Sequence, residues 1–125
     1  MAGTKLDGAG AAKMSTLDDA LLQLQHVHGQ VERMAIMVRN MQPAGILANQ
    51  IRRSAAPLVG QLKGQFGMIA DQATALILAA GRGGSEQTKL RSLREHVAQI
   101  RTQIEITQSK VKEQHTVTVG VETPD

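Results

Sequence analysis

From Leu17 the chain repeats every seven residues. Leu17, Leu24, Val31 and Val38 hold one register, and Ala20, Val27, Met34 and Met41 hold the other. The positions following the first series are Asp18, Gln25, Glu32, Arg39 and Asp19, His26, Arg33, Asn40, all polar. Apolar residues at alternating spacings of three and four make one stripe along a 3.6-residue helix and no coherent face on a strand. Such a stripe is stable only when other helices cover it. Thr16 is the expected N-cap, with Asp18 and Asp19 at the positive end of the helix, and Pro43 and Gly45 close it. The spacing predicts a helix over 16–42.

The C-terminal part reads the same way. Gly81, Gly83 and Gly84 break the chain, Ser85 offers an N-cap, and Leu90, Val97, Ile104 and Val111 recur every seven residues. Leu93 and Ile100 fill the alternate register before Thr107 and Gln114 take it over, so the seam of this helix, predicted over 85–114, weakens toward its end. Between the two lies 46–80, where Val59, Phe66, Ala73 and Ala80 alternate with Ala55, Leu62, Ile69 and Leu76. Pro57 is expected to kink or restart this middle helix, with Ser54 capping the new start. Short connections imply antiparallel neighbours. The expected fold is all-α: an antiparallel three-helix bundle with coiled-coil seams, or four helices if Pro57 breaks the middle one. Residues 1–14 are small, polar and glycine-bearing and read as a disordered lead-in. The tail 115–125 reads as flexible; its alternating Thr and Val suit a strand, but a lone strand needs an edge to join.

Three glycines fall inside the middle helix, in GQLKGQFG. Each costs about 1 kcal/mol against alanine in a helix interior. Gly60, Gly64 and Gly67 share one face with Ala56, Ala70 or Asp71, and Thr74, so the reading preferred here is a strip for close approach of another helix. The competing reading is a helix loosened near Pro57.

Chemistry is sparse. Phe66 is the only aromatic residue, and pockets for small molecules usually recruit aromatic walls, so no small-molecule substrate or cofactor is expected. The absence of cysteine removes disulfides and thiolate catalysis and fits a reducing compartment. The glycine run lacks the endings of a phosphate loop or a dinucleotide turn. No Glu-x-x-His occurs, His26 and His28 point to different sides of a helix, and His28 with Glu32 reads as a solvated pair, so no metal is expected. The carboxylates fall mostly on polar faces, suited to pairs such as Arg91 with Glu95 and Arg101 with Glu105. Asp71, beside apolar neighbours, reads as a partly exposed surface residue. No apolar leader is recognisable, and the longest apolar run, Ala73 to Ala80, is far short of the roughly 20 residues of a membrane span. A soluble, intracellular protein is expected, cytoplasmic or nuclear, with no membrane partner.

What remains is surface. Leu22, Ile36 and Met37 lie off the seam and suggest a second apolar edge for another helix or another chain. A net charge of +3 includes a denser basic set, with Arg82, Lys89, Arg91 and Arg94 expected to face anions at one end of the bundle and Arg52 and Arg53 toward the other. No aromatic residues stand between them to stack on bases. The leading expectation is a non-enzymatic interaction subunit, adaptor or scaffold that binds a protein partner or itself through its seams, Leu22, Ile36, Met37 and the Gly60, Gly64, Gly67 face. The alternative is a small basic nucleic-acid-associated protein, and a helical-bundle enzyme ranks third.

Overall fold

The structure, a computed structural model, describes residues 3–119. Four helices follow one another: α1 (Gly8–Arg39), α2 (Gly45–Leu62), α3 (Gly67–Gly81) and α4 (Glu86–His115). Each packs against the next in sequence, and α1 also packs against α4, closing an up-down-up-down ring. The fold is all-α, as the heptads predict. Two four-residue strands, β1 (Gly3–Leu6) and β2 (Thr116–Val119), pair antiparallel beside the start of α1 and the end of α4.

The heptad residues form one continuous core. Leu17, Leu24, Val31 and Met34 of α1 meet Ile51, Leu58 and Leu62 of α2, Ile69 and Leu76 of α3, and Leu93, Ile100 and Ile104 of α4, all buried. The seams therefore cover one another inside the chain. At 1.5 Å per residue α1 and α4 are about 48 and 45 Å long, against about 27 and 22 Å for α2 and α3. The long pair accordingly reaches beyond the α2–α3 hairpin at the end that carries the β-ribbon.

Several boundaries depart from expectation, each for a local reason. Within the lead-in, β1 takes Gly3–Leu6 and α1 begins at Gly8. Asp7, not Thr16, caps α1, its Oδ1 accepting from the Gly10 amide at 2.7 Å, whereas Thr16 lies inside the helix and donates to the Ala12 carbonyl. The tail is not free either, since Thr116 to Val119 find the edge they need in Gly3 to Leu6. Residues 1–2 and 120–125 of those two segments lie outside the described residues. Met41 leaves the core seam. It takes φ 57, the Met41 and Gln42 amides turn back to the Val38 and Met37 carbonyls, and the side chain is 92% exposed. The chain leaves the helix through this left-handed turn, and Pro43 two residues on cannot continue it.

Pro57 does not break the middle helix. It sits on the exposed side of α2, so the Arg53 carbonyl it frees can face water while Ala55, Leu58 and Leu62 hold the buried side. Ser54 lies mid-helix, its carbonyl accepting from Gln23 Nε2 at 2.7 Å. The break falls at 63–66, where the Phe66 amide reaches back to the Leu62 carbonyl at 2.7 Å and the chain reverses into α3. The glycine run is therefore a corner. Gly60, Gly64 and Gly67 are exposed, and a Cβ on any of them would meet nothing within 4 Å, so no helix of this chain approaches closely there. Ser85 does cap α4, its Oγ accepting from the Thr88 amide at 3.1 Å, and Gly84 before it has φ +108, a conformation that calls for glycine.

Candidate interaction surfaces

α1 is gripped on two flanks. Toward α2, Gln23 reaches the Ser54 carbonyl. Toward α4, Gln108 Nε2 donates to Asp18 Oδ1 at 2.8 Å, and Arg94 forks onto Glu32 at 2.8 and 3.0 Å. The third side faces out and carries Leu22, Gly29 and Ile36, seven residues apart, with Leu22 65% and Ile36 49% exposed. Leu22 and Ile36 are thus where the heptad leaves them. Met37 is not an open apolar residue, for it is half-buried and packs on the core.

The basic residues are arranged differently from expectation. Because the chain reverses at 63–66, the N-terminal half of α2 ends beside the C-terminus of α3, so Arg52 joins Arg82 instead of lying at the opposite end. Asn49, Arg52, Arg53, Ala56 and Ile77 line one shallow hollow, and Arg52, Ile77, Leu78, Gly81 and Arg82 line the adjoining one. A methyl group on Gly81 would lie 3.6 Å from Arg52 Nε, so this guanidinium covers the negative end of α3, a favourable place for a cation. Arg94 does not face free anions, since Glu32 holds it. Lys89 is half-buried beside Glu86, whose carboxylate accepts from the Ala44 amide at 3.1 Å, and Arg91 stays exposed on α4. The ion pairs expected within α4, from Arg91 to Glu95 and Arg101 to Glu105, are not among those formed by the described residues. Glu32 collects Arg94 and His28 instead.

One polar cluster was not anticipated. Where the start of α1 meets the end of α4, His115 Nδ1 lies 3.3 Å from Asp7 Oδ1, and Lys13 Nζ donates to His115 Nε2 at 3.2 Å. The Asp7 amide donates to the His115 carbonyl at 2.8 Å, and Gly10 is buried directly against His115, where a Cβ would collide with its side chain. The Gly10 amide first, then the His115 ring, hold the Asp7 carboxyl below the usual aspartate range. Arg94 does the same for Glu32. The cluster clasps the start of α1 to the end of α4.

Among the described residues no three His, Asp or Glu side chains gather as a metal site, and His28 stands 3.8 Å from Glu32 as a half-exposed pair. Asp71 is exposed. No described helix is long and apolar enough to cross a membrane. Compared with protein-family models, with curated proteins and with solved structures, the chain matches none.

Proposed function

We propose that this chain is a non-enzymatic interaction subunit, a small helical scaffold or adaptor that works inside the cell by presenting one helix face to a protein. The observation that carries the reading is the outer side of α1, where Leu22 and Ile36 keep large apolar surfaces in water although the heptads around them bury theirs. Since the seams are occupied within the bundle, binding is assigned to this outer side and not to the seams. Isolation of the chain from its native cell, with and without nuclease, tests it. A stoichiometric protein partner that survives nuclease and moderate salt, and is lost in a Leu22→Glu, Ile36→Glu double variant, supports the reading. Recovery of the chain without a protein partner, together with no association between copies at high protein concentration, refutes it.

A second reading, association with nucleic acid or another polyanion, draws on the adjacency of Arg52, Arg53 and Arg82. It predicts binding that falls steeply with salt and disappears in Arg53→Glu, Arg82→Glu. The apolar contact predicts little salt dependence.

A further inference from the structure

We infer that the outer side of α1 recognises a second copy of this chain, docked antiparallel about Gly29. The inference rests on the interaction-subunit reading and names the partner. Leu22 and Ile36 stand seven residues to either side of Gly29, about 10 Å along the axis in each direction. A two-fold axis passing beside Gly29 exchanges them, so Leu22 of each copy meets Ile36 of the other, and the apolar contact is made twice. At the crossing point Gly29 is exposed and a Cβ there would meet nothing within 4 Å, so no side chain holds the two backbones apart.

The polar flanks choose the direction. On the α4 side the stripe is edged by Asp18, Gln25, Glu32 and Arg39, and on the α2 side by Asp19, His26, Arg33 and Asn40. Antiparallel docking sets Asp18 against Arg39 of the other copy and Gln25 against Glu32, and on the other edge Asp19 against Asn40 and His26 against Arg33. Parallel docking about a two-fold along the helix would face the α4 edge of one copy with the α2 edge of the other, setting Asp18 against Asp19 and leaving Arg39 against Asn40 without a carboxylate. Asp18 and Arg39 are exposed, and Glu32 already has its charge met by Arg94. An interface centred on one helix pair falls in the size class of transient complexes, below about 1,200 Å². Association is therefore expected to be visible only at high protein concentration.

The test is sedimentation of the full chain from about 10 µM to about 500 µM, a range suited to weak complexes. The expected result is a rise in mass from 13.4 kDa toward twice that value. Asp18→Arg alone and Arg39→Asp alone each place like charges at both symmetry-related contacts and are expected to weaken the dimer about tenfold. An equal mixture of the two variants restores both contacts in trans and is expected to recover wild-type association as a heterodimer. Circular dichroism of each variant checks that the bundle is intact. A chain that stays monomeric at the highest concentration overturns the inference, and so does a dimer indifferent to both substitutions. A monomer that still captures a different protein through Leu22 and Ile36 overturns self-recognition while leaving the interaction-subunit reading standing. A monomer with no partner removes both.

Discussion

Two glycine-to-alanine substitutions are expected to move stability in opposite directions. Gly60 lies in the last turn of α2, exposed, with open space where a Cβ would go. Alanine there gains helix propensity and restricts the unfolded chain, worth about 0.5–1 kcal/mol. For a chain of this size that is a rise in Tm of roughly 3 °C. Gly10 is also helical and gains the same propensity, but its new methyl group would be driven into His115, held in place from the other side by Asp7 and Lys13. The neighbour is the Cβ, next to the backbone, so it cannot swing away. Overpacking of this kind costs about 1–3 kcal/mol, which against the propensity gain leaves Gly10→Ala destabilised by up to about 2.5 kcal/mol. With no Trp or Tyr to report by fluorescence, far-ultraviolet circular dichroism during heating and urea titration is the suitable assay. A loss of stability in Gly60→Ala would refute the reasoning, since it would mean that another backbone does rest on the glycine face. A gain in Gly10→Ala would refute the clasp.

Met41→Gly is expected to stabilise by about 1 kcal/mol, because glycine takes the left-handed helix end without penalty and the Met41 side chain packs on nothing; thermal unfolding reads the shift. Asp7 and Glu32 are both held below their ordinary ranges, so the fold favours their ionised forms. Their contribution is complete above the unfolded values of about 4 and is lost as pH falls through the lower folded values. Asp7→Asn and Glu32→Gln should therefore flatten the decline of stability below about pH 4. Because both carboxylates are substantially exposed, the flattening should be modest, and a steeper acid decline in either variant would contradict the assignment.

The long helices were legible because their burial follows sequence spacing alone. Leu17 through Met34, and Leu90 through Ile104, are buried as the heptads require, and the same count singled out Leu22 and Ile36 as surplus. The corner at 63–66 was not legible because Leu62, Phe66 and Ile69 keep helical spacing across it. Apolar periodicity records which residues are buried, not whether the axis reverses between them. Pro57 gave a stronger breaker signal than Gly64, yet its exposed position let the helix pass. That one misplaced reversal also separated Arg52 from Arg82 in the sequence reading. The clasp joins Asp7 to a residue 108 positions away, and the small residues around Gly8 carry no periodicity, so local pattern offered no sign of it.

Binding by the outer side of α1 requires the bundle to close its own seams, so that Leu22 and Ile36, together with scattered exposed apolar side chains such as Ile46, Met68 and Leu78, are left at the surface in place of an open seam. The cysteine-free chain allows spin labels at Gln50 and Arg82 alone, both exposed, one on α2 and one just past α3. The hairpin predicts a distance within about 20 Å, given packed helices 8–10 Å apart and flexible labels. A continuous middle helix would separate the two positions by about 48 Å, leave the seam of 55–76 open to a partner, and contradict the account.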